Sequence, residues 1–101
     1  MRMLLNIRIP HEPFNSLVRA GTAGTIIRKI LEDSKPEAVY FPEQHGTRGA
    51  VLIIEVARLS GVLSFAEPWF LQFNADCEFR IVMSPEDPQQ ANLDALGAKW
   101  K

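Results

Sequence analysis

The sequence has little of what marks several large classes of protein. Its single cysteine, Cys77, can form neither an internal disulfide nor a thiolate metal cage. Positive and negative charges nearly balance, with 11 Lys and Arg against 12 Asp and Glu, so there is no basic surface for a nucleic acid. The first apolar run is interrupted by Asn6 and Arg8 before it reaches the length of a signal sequence or a membrane span. These absences predict a cytoplasmic protein that binds neither nucleic acid nor a membrane.

The chain has enough apolar residues to fold but is too short for two cores. Hydrophobic residues make up 47% of its 101 residues and charged residues 23%, a balance typical of globular rather than disordered chains. A second core would need roughly another 100 residues. We therefore expect a single domain over residues 1–101.

Four segments have the pattern of β-strands. In residues 2–9 the side chains at every second position are apolar, which indicates a strand with one buried face. Residues 42–47 contain Pro42 and Gly46 and fit the turn of a hairpin between the second and third strands. The predicted strands after the first span residues 37–41, 49–56 and 77–83.

Apolar residues at steps of three and four predict helices between these strands. The first helical region spans 14–31, and Gly21 and Gly24 divide it into two pieces because glycine in a helix interior costs about 1 kcal/mol relative to alanine. The second spans residues 59–73. A short final helix is predicted within residues 84–97, since a Ser-Pro pair and an acidic first turn precede it.

The resulting order is β-α-β-β-α-β with an appended helix, the α+β arrangement of ferredoxin-like folds. We expect an antiparallel sheet with strand order 4-1-3-2 and both main helices on one face. The opposite face is too apolar for water and too charged for a core, so pairing with a second copy through this face is predicted. This predicted face comprises Leu4, Asn6, Arg8, Val51, Ile53, Glu55, Glu78, Arg80 and Val82.

The topology, the uncovered sheet face and the segment Glu67-Pro68-Trp69-Phe70 before strand four resemble the dimeric α+β barrel superfamily. The resemblance extends over nearly the whole chain. The superfamily includes muconolactone isomerases, antibiotic-biosynthesis monooxygenases, haem-degrading enzymes and uncharacterised bacterial families. The resemblance implies two sheets packed face to face in a homodimer, a ligand cavity beside or between them, and chemistry that often needs no cofactor.

Other classes of protein with this topology are excluded, because this sequence lacks the residues on which their functions depend. An RNA-recognition motif needs exposed aromatic residues on strands one and three, and neither strand has one. A metallochaperone would have a CxxC motif after strand one, where this chain has residues 10–13, Pro-His-Glu-Pro. The glycines at 21 and 24 are not followed by the lysine of a phosphate-binding loop, so a helix break explains them better.

Seven residues form the predicted site. If strands one and three run parallel, Arg8 and Glu55 lie close together late in their strands, and Glu78 on strand four begins at the same end. His11 follows strand one directly, and Trp69 approaches from the segment before strand four. The candidate catalytic residues are His11, Glu55 and Glu78, and the candidate ligand-binding residues are Asn6, Arg8, Trp69 and Arg80.

Each residue type has a chemical reason. The planar guanidinium of Arg8 can hold a carboxylate or enolate by two hydrogen bonds. His11 can transfer protons near neutral pH. Glu55 and Glu78, crowded in a partly dry cavity, would have raised pKa values and act as acid or base. Trp69 would form a flat wall for an aromatic or conjugated ligand.

The same residues also have purely structural interpretations. The charged residues can form a salt-bridge network that sets the strand register. His11 lies between prolines in a loop exposed to solvent, Trp69 fits a helix core, and Cys77 fits a small core residue. His45 fits a turn at the opposite end of the subunit from the candidate site. Because two distant histidines make no metal site, we expect neither a metal nor another cofactor.

The function is predicted at the level of class. The first hypothesis is a homodimer that binds a small organic acid or conjugated metabolite, with cofactor-independent isomerase, lyase or monooxygenase activity as the enzymatic options. The alternative is a non-catalytic dimerisation or ligand-sensing module. No catalytic signature decides whether the chain is an enzyme.

Overall fold

The computed structural model describes all 101 residues, Met1 to Lys101. The strands are β1 (Arg2–Ile9), β2 (Ala38–Tyr40), β3 (Glu43–Gln44), β4 (Thr47–Glu55) and β5 (Asp76–Ile81). The helices are α1 (His11–Arg19), α2 (Ala23–Ser34), α3 (Gly61–Phe73), α4 (Glu86–Gln90) and α5 (Leu93–Lys99).

The strands form one antiparallel sheet in the order β2-β4-β1-β5, with β3 paired to β4 beside this path. The α+β class and the antiparallel sheet are thus confirmed. The observed order differs from the expected 4-1-3-2. The sequence did not predict β3, and this additional strand raises by one the number of each strand that follows it. This two-residue strand is too short to leave an alternating pattern in the sequence.

The direction of β4 relative to β1 corrects the prediction that these two strands run parallel. In the observed antiparallel register, Arg2 lies opposite Glu55 and Arg8 lies opposite Gly49. The end of β1 is therefore beside the start of β4. Arg8 and Glu55 lie at opposite ends of the sheet, and the predicted closeness of these two residues is wrong.

One face of the sheet carries the hydrophobic core. Met3, Leu5, Ile7 and Ile9 of β1 are all buried, as their alternation predicts. They pack with the apolar residues of β4 and with one face of each of the first three helices, which all contribute to a single cluster. Because the helices lie on this face, the other face of the sheet has no helix against it.

The predicted break in the first helical region is confirmed. Helix α1 ends at Arg19 and α2 begins at Ala23, and Gly21 between them has a φ of 77°, which glycine adopts without strain. Thr22 precedes α2, but its hydroxyl donates to the carbonyl oxygen of Leu17 and caps no amide of α2. The glycine turn, rather than a side-chain cap, starts the second helix.

The C-terminal segment differs from the single helix predicted for residues 84–97. Two short helices, α4 and α5, are separated at Asn92, which has a left-handed φ of 54°. Every residue from 89 to 101 is exposed. The molecule is 60 Å long, with a radius of gyration of 17.2 Å, whereas a compact chain of this length has one of about 13 Å. The segment therefore projects from the body.

None of the helices combines the length and apolarity needed to cross a bilayer.

Candidate functional site

The sheet face without helices is here called the open face, and side chains from three strands line up across it. Asn6 of β1 lies between Val51 of β4 and Glu78 of β5. Two residues before Asn6, Leu4 lies between Ile53 and Arg80. Two residues after it, Arg8 lies between Gly49 and Asp76. The open face comprises Leu4, Asn6, Arg8, Val51, Ile53, Glu55, Asp76, Glu78 and Arg80. It is thus aliphatic toward β4 and charged toward β5.

A polar cavity of about 230 Å³ lies on the charged part of this face. We call it the open-face cavity. No apolar residue lines it, and its walls come from β1, β5 and the hairpin between β3 and β4. The lining residues are Asn6, Arg8, Gln44, His45, Asp76, Glu78 and Arg80.

The hairpin between β3 and β4 closes one side of the cavity. His45 and Gly46 form its two-residue turn, and both have positive φ values, 52° and 83°, as a tight hairpin turn requires. The Gln44 side chain then lies over Gly49, where a methyl group would clash with it. Gly49 therefore leaves the space in which Gln44 reaches across to β1.

Gln44 is held at the cavity by hydrogen bonds to β1. Its Nε2 donates to Oδ1 of Asn6 over 2.9 Å and to the carbonyl oxygen of Ile7 over 3.1 Å. The Asn6 Nδ2 donates in return to Oε1 of Gln44 over 3.2 Å. This pair fixes one wall of the cavity before any ligand binds.

Opposite charges line the cavity in equal number if histidine is neutral. The guanidinium of Arg80 lies 3.5 Å from the carboxylate of Glu78, and both side chains are largely exposed. Arg8 makes no ion pair within the chain. The cavity therefore has a guanidinium free to bind an anion, a carboxylate in a solvent-exposed ion pair with Arg80, and a second carboxylate on Asp76.

Four of the seven predicted site residues meet in this cavity, and Glu55 is not among them. Asn6, Arg8, Glu78 and Arg80 line it together. Glu55 lies at the far end of β4, where its carboxylate accepts a hydrogen bond from the amino group of Met1. That position follows from the antiparallel register, and it separates Glu55 from Arg8.

His11 lies outside the open-face cavity. It lines a separate cleft of about 500 Å³ at the end of the sheet, between the start of α1 and the β3–β4 hairpin. The guanidinium of Arg48 in this cleft lies over the ring of Phe14 at 4.6 Å and donates to Oδ1 of Asn15 over 2.8 Å. The structure thus places His11 next to, but not among, the residues of the open face.

Trp69 is a core residue on the helix-covered face. It is completely buried, and its ring lies 5.8 Å from that of Phe73, which in turn lies 5.0 Å from Phe14. Its indole Nε1 is buried without a hydrogen-bond partner. The sheet separates Trp69 from the open-face cavity, so its placement agrees with the core interpretation and not with a ligand wall.

Three cavity residues, Gln44, His45 and Asp76, were not among the predicted site residues. The expectation that His45 lies at the opposite end of the subunit is wrong, because the antiparallel register brings the β3–β4 turn beside the end of β1. Two signals were present in the sequence. His45-Gly46 is a favourable two-residue turn, and Asp76 shares the phase of Glu78 on the same strand.

No three His, Cys, Asp or Glu side chains converge as a metal site. The lone thiol, Cys77, is half-buried on the core side of β5. Burial raises its pKa to about 11, and the neighbouring Asp76 carboxylate adds to the increase. The thiol is therefore protonated at neutral pH and behaves as a small apolar side chain.

Comparisons with known proteins assign no family to this chain. No protein-family model matches it, and no curated protein is significantly similar to it. The fold and the open face define an α+β domain with an antiparallel sheet, compatible with the ferredoxin-like arrangement, and with a polar cavity on its uncovered face.

Proposed function

We propose that the chain is a homodimer that binds a small organic acid in the open-face cavity, with a second sheet covering the ligand. The observation that carries this proposal is Arg8, a guanidinium on the wall of a polar cavity with no carboxylate of its own chain paired to it. A guanidinium binds a carboxylate through two parallel hydrogen bonds. The amide of Asn6 beside it can bind a hydroxyl or carbonyl group of the same ligand.

A second copy is proposed because the open face has an apolar part, toward β4, that no other element of the chain covers. Leu4, Val51 and Ile53 are only half-buried because no helix covers them. The aromatic ring of Tyr40 extends this apolar area at the edge of the sheet. Apolar area of this kind is stabilised when another surface removes it from water. A second sheet would also exclude water from the cavity and strengthen the contact of an anion with Arg8.

Proton transfer next to a carboxylate is the cofactor-independent reaction that this set of residues supports best. The Glu78 carboxylate would accept a proton from the carbon beside the carboxylate of the ligand. The guanidinium of Arg8 would stabilise the negative charge that moves onto the ligand's oxygen atoms. If a C=C bond adjoins that carbon, return of the proton to the far end of the C=C bond completes an isomerisation. If the next carbon carries a leaving group, departure of that group with its bonding electrons forms a new C=C bond and completes an elimination. His45 lies at the same cavity and can exchange this proton with solvent.

Binding is tested with benzoate and its uncharged analogue benzamide, followed by NMR of the ¹⁵N-labelled protein. We expect benzoate, but not benzamide, to shift the amide resonances of Asn6, Glu78 and their neighbours. Arg8→Gln should weaken benzoate binding by about tenfold or more, since it removes a charge-assisted hydrogen bond. Arg28→Gln is the matched control, because Arg28 is an exposed arginine on α2 and lines no cavity. Equal effects of the two variants would refute the site.

The dimer is tested separately by sedimentation velocity. The native chain should sediment as a species of at least twice 11.4 kDa, and Ile53→Lys should make that species smaller because it places a charge in the apolar half of the open face. Arg28→Glu makes a charge change on the exposed side of α2, outside every cavity, and should leave the open-face dimer intact. A native chain that stays monomeric at micromolar concentration would contradict the proposal.

A non-catalytic dimerisation or ligand-sensing module is the second candidate, and the balanced charge of the cavity favours it. The cavity has two positive side chains, Arg8 and Arg80, and two negative ones, Asp76 and Glu78. A two-fold interface needs a surface complementary to itself, so these charges could pair across two copies and leave no anion site. This candidate predicts that Arg8→Gln weakens the dimer while benzoate shifts no resonance of the native protein.

A further inference from the structure

The last twenty residues, 82–101, form a projection that we call the C-terminal arm. Residues 89–101 are exposed without exception, and the arm accounts for the 60 Å length of the molecule. Its last helix, α5, has an apolar face that nothing in the chain covers. Leu93, Leu96 and Trp100 occur at steps of three and four, and all three are exposed, Trp100 by 76%. Such a stripe normally packs against another surface.

The largest cavity of the molecule is a groove between α2 and α3, with a volume of about 860 Å³. We call it the α2–α3 groove. Three of its ten lining residues, Ile26, Ile30 and Leu71, are apolar, and Leu71 is 77% exposed. Helix α3 is unusually apolar for a surface helix, because Leu63 and Phe70 outside the groove are also exposed. A helix that is apolar on several sides is normally buried on several sides.

The rim of the groove and the end of the arm carry complementary charges. Three carboxylates, Glu32, Asp33 and Glu67, stand on the rim with a single ammonium group, Lys29. The arm carries Lys99 and Lys101 on either side of Trp100, and Asp94 lies five residues before Lys99. Docking of α5 would place its basic end among the carboxylates and leave Asp94 for Lys29, a pairing that favours one orientation of the arm.

We propose that the C-terminal arm of one copy docks in the α2–α3 groove of a second copy, with Trp100 and Leu96 against its apolar residues Ile26, Ile30 and Leu71. Reciprocal exchange of the arms satisfies both copies at once and closes a two-fold dimer. The second copy is the occupant rather than an unrelated protein, because the groove and the arm both expose apolar side chains and carry opposite charges. The arm projects from its own body and does not occupy its own groove. Of the charged residues on the rim, all except Glu67 belong to α2.

This proposal is independent of the open-face proposal. The groove lies on the helices, whereas the open-face cavity lies on the other side of the sheet. Ile53→Lys should therefore leave arm docking unchanged, and loss of the arm contact should leave benzoate binding unchanged. The two proposals can fail separately.

Disulfide cross-linking between two different variants tests arm docking directly. Leu96→Cys and Leu71→Cys chains are each made with Cys77→Ala, so that each has one thiol, and one chain is ¹⁵N-labelled. After mixing and mild oxidation, the mass of the mixed disulfide distinguishes it from disulfides between identical chains. We expect the mixed product to form about tenfold faster than with Leu63→Cys in place of Leu71→Cys. Leu63 is the matched control, because it is an exposed leucine of α3 outside the groove.

Equal rates for Leu71→Cys and Leu63→Cys would overturn the proposal. A chain carrying both Leu71→Cys and Leu96→Cys gives a further test at low concentration. An internal disulfide formed there in preference to a mixed one would mean that the arm folds back onto its own groove, and the second copy would be refuted.

Charge reversal supplies a test that does not depend on thiols. Lys99→Glu should weaken the arm-mediated association measured by sedimentation, and Glu67→Lys should do the same. The double variant should recover part of the loss, because the two groups would again have opposite charges. All three variants change exposed residues, so their circular dichroism spectra should match that of the native chain. Absence of any recovery would contradict the proposed orientation.

Discussion

The side-chain amides of Asn6 and Gln44 hydrogen-bond to each other in both directions, 38 residues apart in the chain. Gln44 belongs to the shortest strand of the sheet, and this contact is what ties the strand to β1. A third bond, to the carbonyl oxygen of Ile7, holds the same amide group. The position of the hairpin, and with it one wall of the open-face cavity, therefore depends on a side-chain pair rather than on a long strand ladder.

This amide pair should show energetic coupling. Asn6→Ala and Gln44→Ala should each lower the free energy of unfolding by about 1 kcal/mol, since each leaves a half-buried amide without its partner. The double variant should lose about 1 kcal/mol less than the sum, because the shared bonds can be lost only once. Urea unfolding at a fixed protein concentration measures the cycle. Asn6→Ala combined with Asn15→Ala is the additive control, and coupling of the same size there would contradict the pair.

Glycine should be needed at position 49 and replaceable at position 24. Gly49→Ala places a methyl group against the Gln44 side chain, so we expect a loss of about 1–3 kcal/mol, as for other overpacked sites. Gly24 lies in the first turn of α2 with open space around it, and Gly24→Ala should stabilise the chain by up to about 1 kcal/mol. Thermal unfolding of the two variants decides this, and a change of the same sign in both would contradict the argument.

Arg8 and Glu55 should be energetically independent. They lie at opposite ends of the β1–β4 pair, so Arg8→Ala and Glu55→Ala should add within about 0.5 kcal/mol in the free energy of unfolding. The positive control is Arg2 with Glu37, whose charged groups lie 3.1 Å apart on partly exposed side chains. That cycle should show coupling of about 0.2–1 kcal/mol. Strong coupling of Arg8 with Glu55 would mean that the register of β1 with β4 is incorrect.

Cys77 should react slowly with alkylating reagents. With a thiol pKa of about 11, only about a thousandth of the thiol is ionised at pH 8, whereas an ordinary cysteine is ionised to roughly a quarter. The rate of reaction with iodoacetamide should therefore be about two orders of magnitude below that of the urea-unfolded chain. It should keep rising about tenfold per pH unit from pH 8 to pH 10. A rate that levels off near pH 8.5 would show an unperturbed thiol.

The raised thiol pKa also sets the direction of a pH effect on stability. The folded thiol ionises at a higher pH than the unfolded thiol, so its contribution is fully present below about pH 8.5. It is lost as the pH rises from there to about 11. Cys77→Ala should therefore flatten the alkaline part of the stability profile relative to the native chain, while the native profile should not steepen between pH 6 and pH 8 because of this group.

The predictions from sequence succeeded where the determining pattern is local. The alternation in β1 predicts which of its side chains are buried, and Gly21 predicts the break between α1 and α2, because both depend on backbone geometry within a few residues. The same reasoning failed at Asn92, where a left-handed residue divides the C-terminal segment into two short helices. Asparagine tolerates that conformation, but the helical pattern around it gives no sign that it is adopted.

The candidate site was predicted only in part, for a related reason. Asn6, Arg8, Glu78 and Arg80 were assigned to one face by their phase on two strands, and the structure places them in one cavity. Glu55 has the correct phase but lies at the wrong end, since its position depends on the direction of β4 relative to β1. Trp69 was predicted to form a wall of the ligand cavity, but it is completely buried in the core.

By itself the sequence determined the class of fold, the buried face of the sheet and the residues that this burial leaves on the other face. These follow from side-chain periods of two and about 3.6 residues, which are properties of the backbone. Tertiary structure alone decided which end of the open face holds the cavity, that the β3–β4 hairpin supplies Gln44 and His45 to it, and that the C-terminal arm projects from the body. Those features depend on the direction and register of strands far apart in the chain, and no local pattern of side chains encodes them.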